Sequence, residues 1–348
     1  MSIRLSSRFQ RFSGRFFTPF FAAAILLGYV RIAESAQPYV LGEPTAAASL
    51  PSQPDGIPRD YVVTPNGFFH PSCVHRIDAD ETLEASGRVV REDGSERSVA
   101  PCAYPHYAPD GTRLARDAVP PLPALGAHAP PPTINGWIAY ASYVVPQAKP
   151  AGFIKAQMSV PDAPTIQAGQ VDYFFPGLED AENVQTIVQP VLGWNAFNDH
   201  GWTIASWNCC LDGETWHSAP VTVEAGGTIE GTVRGSSCHQ VVCDHWTILT
   251  RDAINDHDTT LNTSGYGQVF DWVFGAVLEA YGISQCGHLP ASGTEEFSHI
   301  AVAPTGPSTS DRPALRTWEP TVIPGTPNCG YVVTPHPLAN SPQITIEY

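Results

Sequence analysis

The sequence predicts an all-β fold, an antiparallel double-sheet sandwich preceded by a small disulfide-bonded N-terminal module. Beyond residue 133, short runs rich in apolar and β-branched residues follow one another, with Gly, Pro, Asn or Asp between them. Such runs are typical of strands joined by turns. We find no convincing periodicity of an amphipathic helix in this region. Many short strands without helices favour a sandwich, and residues 134–305 are numerous enough to bury one sizeable core.

The first 36 residues have the pattern of an export signal. Four arginines precede the apolar stretch Phe16–Val30, and small residues follow it at Ala33, Ser35 and Ala36. The apolar stretch is short for a membrane span and is interrupted by Pro19, so an uncleaved anchor is the alternative. We therefore expect a protein that is secreted or held in the cell envelope, without a membrane partner after the signal is removed.

The composition excludes some classes of partner. The chain has 34 acidic and 18 basic residues and a formal net charge of −16. This charge argues against binding to nucleic acid or to an anionic membrane. The only lysines are Lys149 and Lys155, which suits an exported protein that works in acid. We expect no cofactor, no metal and a monomer.

Shifts in composition divide the mature chain into five parts. Residues 37–56 are rich in Ala, Pro and Ser and are predicted to be a linker. Residues 57–116 form the N-terminal module, and 117–133 a Pro-rich linker, extended and semi-rigid. Residues 134–305 form the sandwich, and 306–348 a C-terminal extension.

The eight cysteines all lie beyond the export signal. An even number in an exported chain predicts disulfides, although eight cysteines allow many pairings. We expect Cys73 to pair with Cys102, because both lie in the N-terminal module, and Cys238 to pair with Cys243. The last two flank residue types that also bind zinc, but exported cysteines usually oxidise, so a disulfide is favoured there.

Two apolar runs, Val171–Phe175 and Thr186–Leu192, are joined by an acidic turn and predict a β-hairpin. Gln189 is the lone polar residue in the middle of the second run, where an amide is costly unless it is hydrogen-bonded. Glu179 lies where the first strand turns back. The hairpin would bring a carboxyl group and an amide to one polar site on the face of a sheet. Farther upstream, the partly alternating run Trp137–Val145 predicts a strand with one solvated face.

GLED is followed, ten residues after its Glu, by the Gln of IVQPVL; WTIASWNCC, VTVEAGGTIEGTV and VLEAYGI come next. In this order the motifs resemble those of the glutamic peptidases, the eqolisins. The resemblance covers roughly Trp137 to Val302. It is closer still to a group of uncharacterised exported proteins that share GIEDA, LQPVL, ASW and LEAYGI motifs. It implies a concanavalin-like, jelly-roll-like double sheet with a cleft on its concave face.

The resemblance also implies roles for individual residues. Gln189 matches the catalytic glutamine, Glu279 the catalytic glutamate, and Glu179 the supporting acid of the turn. Phe175 occupies the position of a site tryptophan. In such a site the carboxylate takes a proton from water while the neutral amide donates a hydrogen bond to the developing oxyanion. The implied function is an acid-acting endopeptidase on polypeptides, and the N-terminal module is then expected to be a pro-segment that blocks the cleft.

Other interpretations of these residues stay open. The family motif has two glutamates four residues apart, whereas FGAVLEAYGI has one, so the catalytic position falls on Glu279 or on Gly275. Trp194 and Trp207 are candidates for a substrate groove, although aromatic residues of a sandwich are more often core. The alternatives are a glycan-binding sandwich, a carbohydrate-cleaving enzyme with Glu179 and Glu279 as its carboxyl pair, and a cell-surface protein without chemistry.

Overall fold

The computed structural model describes most of the chain beyond residue 52. The described residues are 53–115, 134–182, 186–198, 200–305, 317–336 and 342–348. The predicted export signal and the Pro-rich linker lie outside them. The regular secondary structure of the described part is almost entirely strand, arranged as a sandwich, which confirms the predicted fold class. None of its helices has the length and apolar character needed to cross a membrane.

The described residues form 23 strands and three short 3-10 helices. The N-terminal strands are β1 (Val62–Thr64), β2 (Gly67–Phe69), β3 (Val74–Ile77), β4 (Glu81–Leu83), β5 (Arg88–Arg91), β6 (Glu96–Ser98), β7 (His106–Tyr107) and β8 (Arg113–Leu114). The central strands are β9 (Ile134–Val144), β10 (Ala151–Ser159), β11 (Val171–Asp180), β12 (Thr186–Trp194), β13 (Trp202–Cys209), β14 (Thr215–Ser218), β15 (Val221–Val223), β16 (Thr228–His239), β17 (Val242–Asp252), β18 (His257–Ser264), β19 (Trp272–Ile283) and β20 (Thr294–Pro304). The C-terminal strands are β21 (Glu319–Val322), β22 (Val332–His336) and β23 (Gln343–Glu347), and the 3-10 helices are Pro71–Cys73, Leu211–Gly213 and Cys286–His288.

Two large sheets form the sandwich. One has the order β21-β9-β19-β11-β12-β13-β14-β3, with β15 also paired to β13; we call it the site sheet. The other has the order β22-β23-β20-β10-β16-β17-β18-β4-β5-β6. Side chains from the facing surfaces of both sheets form the main core, which includes Phe174, Leu192, Trp246 and Leu278. The short strands β1, β2, β7 and β8 make a third, small sheet.

The opposite surface of the site sheet, its outer face, is also covered. A second apolar cluster joins Trp137, Tyr173 and Val277 of this face to Val63 and Phe68 of the N-terminal segment. Nearly every residue of β9 is therefore buried. The prediction of a solvated face for this strand is wrong, because the alternation in its sequence gave no sign that a second layer covers it.

The N-terminal segment is built into both large sheets. Its strand β3 pairs in parallel with β14 of the site sheet, and β4 pairs in parallel with β18 of the other sheet. The hairpin formed by β1 and β2 precedes these strands and lies on the outer face. These two parallel pairings therefore restrict the position of the hairpin on the outer face.

Four disulfides are present in the described residues. Cys73 is bonded to Cys102, and Cys238 to Cys243, the two pairs that the sequence suggested. The other two bonds join Cys209 to its neighbour Cys210, and Cys286 to Cys329. The last of these ties the C-terminal extension to the sandwich.

A buried ion pair stabilises the N-terminal segment. The Glu81 side chain is fully buried and accepts from Arg97 at 2.7 and 2.9 Å and from the backbone of Asp78 at 3.1 Å, and a second arginine, Arg91, lies 3.0 Å away. The hydrogen bond with Arg97 is the main reason why the pKa of Glu81 is lowered. A carboxylate with a lowered pKa stabilises the fold above its unfolded pKa, and this contribution is lost as the pH falls through the folded value.

We predict that Glu81→Gln lowers the free energy of unfolding by about 2 kcal/mol at pH 7, since two arginines lose a buried charged partner. The difference from the parent should shrink as the pH falls from about 4.3 through the lowered folded pKa, below which Glu81 is protonated in both states. Chemical denaturation over a pH series measures both effects. The control is Glu96→Gln, whose partner Arg88 is about half exposed, like Glu96 itself. An equal loss in both variants would contradict the prediction.

Candidate functional site

The predicted catalytic pair lies on one face of the site sheet. Glu279 on β19 is opposite Tyr173 on β11, and Tyr173 is opposite Gly193 on β12. Directly paired residues share a face, as do alternate residues of one strand. Gln189 is four residues from Gly193 on the same strand, so its side chain is on the same outer face as that of Glu279.

The two side chains are not direct neighbours. They are two strands apart and four positions apart along the strands, which places their Cα atoms on the order of 15 Å from each other. No hydrogen bond joins them in the described part of the chain. The outer face therefore has two polar centres, one around Glu279 and one around Gln189.

The Glu279 centre is closed by the N-terminal hairpin. The backbone N–H of Asn66 donates to Oε1 of Glu279 at 2.8 Å, and the hydroxyl of Tyr281 donates to the same oxygen at 2.5 Å. The other oxygen, Oε2, is buried and has no hydrogen-bond partner among the described residues. Burial raises the pKa of Glu279 to about 8, although the interactions with Tyr281, with the backbone of Asn66 and with Trp137 oppose the increase.

Main-chain and side-chain groups of the hairpin make further contacts at this centre. The hydroxyl of Tyr173 donates to the carbonyl of Val63 at 3.3 Å. The indole N–H of Trp137 donates to the side-chain oxygen of Asn66 at 3.3 Å. The ring of Phe68 meets Tyr281 edge to face, with 5.3 Å between the ring centroids. The outer face thus holds a piece of polypeptide through both its backbone and its side chains.

The Gln189 centre contains an unpaired amide. The Gln189 side chain is fully buried, and neither its oxygen nor its nitrogen has a hydrogen-bond partner among the described residues. Its neighbour across the strands is Trp207, also buried. A buried amide without a partner costs free energy, and such groups in folded proteins usually have a specific reason.

Glu179 is the carboxyl group nearest to Gln189 in the register. It is opposite Ile187, two residues from Gln189 on the same strand, and is 8% exposed. Burial raises the pKa of Glu179 to about 8, and the nearby carboxyl groups of Asp271 and Asp180 add to the increase.

The other predicted site residues divide between the two faces. Phe175 and Trp207 lie on the outer face; the ring of Phe175 contacts Trp137 edge to face at 5.6 Å. Trp194 lies on the opposite face, in the main core against Trp202. The structure therefore brings Glu279, Gln189, Glu179, Phe175 and Trp207 to one face and does not bring Trp194 there. Gly275 faces the main core, since a Cβ added to it would lie 2.8 Å from Trp318.

The sequence interpretation missed several residues of the outer face. Tyr281 was detectable, because in a strand the residue two positions after Glu279 is on the same side. Asn66 was not, since it is 213 residues away and no local pattern links it to Glu279. Asp271 follows a turn, and its proximity to Glu179 depends on strand pairing.

Comparison with known proteins gives structural similarities only. No family model and no curated protein matches the chain. Among solved structures, it is similar to scytalido-glutamic peptidase bound to a peptide-based transition-state analogue, with 12% identity and a TM-score of 0.40; the match covers 61% of this chain and 98% of that one.

Two further similarities are of the same kind. SCP-B, a peptidase of the eqolisin family in complex with the tripeptide Ala-Ile-His, matches with 14% identity and a TM-score of 0.40, over 62% of this chain and 99% of that one. The enzymatically active domain of tailspike protein 2 of bacteriophage CBA120 matches with 12% identity and a TM-score of 0.26, over 54% and 30%. These sequence identities and TM-scores are low, and none of the three similarities assigns a role to a residue of this chain.

We predict that the folded protein becomes more stable as the pH falls from about 8 to 6.5. Below 6.5 the half-buried His75 and the buried His217, whose pKa values are each lowered to about 4 by burial, oppose the effect of the carboxyls. Glu179, Glu279 and Glu295 each have a pKa raised to about 8, chiefly by burial. A carboxyl with a raised pKa binds its proton more tightly in the folded state, so its contribution to stability is greatest below the unfolded pKa of about 4.3 and falls as the pH rises toward 8. Each group contributes at most about 1.4 kcal/mol per pH unit in that window.

Chemical denaturation at several pH values between 6.5 and 8 tests this. The decline should become less steep in Glu279→Gln and in Glu295→Gln, because each variant removes one titrating group. Glu295 lies away from the outer face and is hydrogen-bonded to Ser159. A stability that is flat or rises with pH across the window would contradict the prediction.

Proposed function

We propose that the protein is a latent acid-acting peptidase of the glutamic type, with its groove on the outer face of the site sheet. The observation that carries the proposal is the occupant of this face. A carboxyl, a tyrosine hydroxyl and an indole N–H bind the chain's own hairpin, in part through backbone N–H and C=O groups. A face that binds polypeptide in this way suits a polypeptide substrate better than a glycan.

The chemistry requires a base and a donor to an oxyanion. The amide of Gln189 is neutral, buried and unpaired, which are the properties of a preorganised oxyanion donor. A carboxylate on the same face takes a proton from the attacking water. The sequence assigned this role to Glu279, and that assignment stays a prediction.

The carbohydrate-cleaving alternative finds no support in the strand register. Glu279 on β19 is opposite Tyr173 on β11, and Glu179 lies six residues beyond Tyr173 on β11. This spacing corresponds to roughly 20 Å, while carboxyl pairs of glycosidases are about 5 to 9.5 Å apart. The glycan-binding alternative has no observation of its own in its favour.

The covering hairpin makes the full chain latent. The buried residues that this segment contributes to the outer-face cluster lie between Ile57 and Phe69, ahead of Cys73 and of strand β3, and the partly buried Val74 and Tyr107 pack against them. Displacing this hairpin alone would uncover the groove while β3 and β4 stay paired. The proposed pro-segment function of the N-terminal module is therefore assigned to its first part. The disulfides fit the proposed export of the protein.

The first test is hydrolysis itself. The purified full-length protein is incubated with a denatured protein substrate from about pH 2 to pH 7, and the N-termini of all chains present are sequenced over time. We expect hydrolysis in acid that begins as the hairpin is cleaved or displaced. Full activity of a chain whose hairpin stays intact and bound would contradict latency, and no hydrolysis at any pH would contradict the function.

The second test separates function from structure at Gln189. Gln189→Met keeps the length of the side chain but removes two buried, unpaired polar atoms. We expect it to raise the free energy of unfolding by about 1 to 3 kcal/mol and to lower the turnover rate by roughly 100-fold or more. Denaturation and acid proteolysis assays measure the two effects. A destabilised variant with unchanged turnover would show that the amide is only structural.

A further inference from the structure

Gly177 forms a notch in the outer face beside Gln189. The pairing of Leu178 with Val188 and of Glu179 with Ile187 places Gly177 opposite Gln189. A Cβ added to Gly177 would lie 3.6 Å from the Cβ of Gln189. Because Gly177 has no side chain, a small space is left directly beside the unpaired amide.

Two larger side chains border the notch along β11. Phe175 and Glu179 are two residues before and after Gly177, so all three are on the outer face. Across the other neighbouring strand, Gly177 is opposite Phe274. The notch thus has an amide on one side, a carboxyl at one end and aromatic rings around the rest.

Glu179 is close enough to Gln189 to share a ligand with it. Diagonal neighbours on adjacent strands are about 7 to 8 Å apart, within reach of long side chains. Glu279, by contrast, is two strands away from Gln189 and four positions away along the strands. One carbonyl group can contact both Glu179 and Gln189, but not both Gln189 and Glu279.

We propose that Glu179 is the catalytic base that works with Gln189, and that the scissile carbonyl of the substrate sits in the notch at Gly177. This inference rests on the proposed peptidase function and names the residues of its centre. Glu279 then binds a backbone N–H of the substrate, as it binds that of Asn66 in the latent chain.

The reaction balances with water as the only co-reactant. The carboxylate of Glu179 takes a proton from a water molecule, whose oxygen attacks the carbonyl carbon. The carbonyl oxygen becomes an oxyanion and accepts a hydrogen bond from Nε2 of Gln189. When the intermediate collapses, the C–N bond breaks and Glu179 gives its proton to the leaving amine.

The groups around Glu179 explain why the covered chain is inactive in acid. The acidic neighbours Asp271 and Asp180 and the phenol of Tyr140 interact with it, and in the covered site its pKa is about 8. At acid pH it is therefore protonated and cannot act as a base. Water that reaches the carboxyl together with a substrate lowers its pKa toward the ordinary value and restores the base.

The test compares three variants of the full-length protein in acid proteolysis. Glu179→Gln and Glu279→Gln make the same chemical change at the two carboxyls. Gly177→Ala adds one methyl group in ordinary van der Waals contact with its neighbours, at 3.4 to 3.6 Å, so its denaturation midpoint should stay near that of the parent. We expect kcat to fall at least 1000-fold in Glu179→Gln and at least 100-fold in Gly177→Ala. Glu279→Gln should change mainly KM.

Glu179→Asp supplies the conservative control. It should keep measurable activity and the acid limb of the profile of kcat/KM against pH, which Glu179→Gln should abolish. Loss of kcat in Glu279→Gln with full activity in Glu179→Gln would overturn this inference and leave the peptidase function standing. If both substitutions abolish hydrolysis, full activity of Gly177→Ala would overturn it. An inactive parent would overturn both proposals.

Discussion

The hydrogen bond from the backbone of Asn66 to the carboxyl of Glu279 connects the two parts of the molecule. It spans 213 residues of sequence and joins the tip of the N-terminal hairpin to the buried polar residues of the site sheet. A fully buried carboxyl without partners would carry a large desolvation cost, which this bond and that from Tyr281 reduce. Covering the groove and satisfying its carboxyl are therefore the same structural event.

Carboxyl groups in the two parts respond to acid in opposite ways. On the outer face, Glu179 and Glu279 favour the protonated form because they are buried. In the N-terminal segment, Glu81 favours the charged form because Arg97 is bonded to it. Acid thus relieves the cost of burying carboxyls in the sheet and weakens the ion pair of Glu81 in β4.

The fold class was readable from the sequence because strand length, β-branched content and turn residues are local properties. The face shared by Gln189 and Glu279 followed from the motifs, and the disulfides between Cys73 and Cys102 and between Cys238 and Cys243 from short separation in the chain. What could not be read was any feature that depends on register or on distant contacts. The assignment of Trp194 to the groove shows this, since nothing in its local sequence distinguishes the core face from the outer one.

The distance between Gln189 and Glu279 also depends on strand register and could not be predicted from the sequence. A motif gives the order of residues, whereas the distance between them depends on how β11 pairs with both neighbours and on the irregular pairing near Phe175 and Gly177. A pairing shift of this kind decides which carboxyl is beside the amide. Only the three-dimensional arrangement of the strands reveals it.

The parallel pairing of β3 with β14 and of β4 with β18 has a consequence for the integrity of the sandwich. Without the N-terminal segment, β14 would be an edge strand of the site sheet and β18 would be an edge strand of the other sheet. A chain without residues 57–116 would present two rows of unpaired backbone groups to solvent, and such borders recruit strands from other molecules. Complete loss of the segment would therefore favour self-association or aggregation of the sandwich.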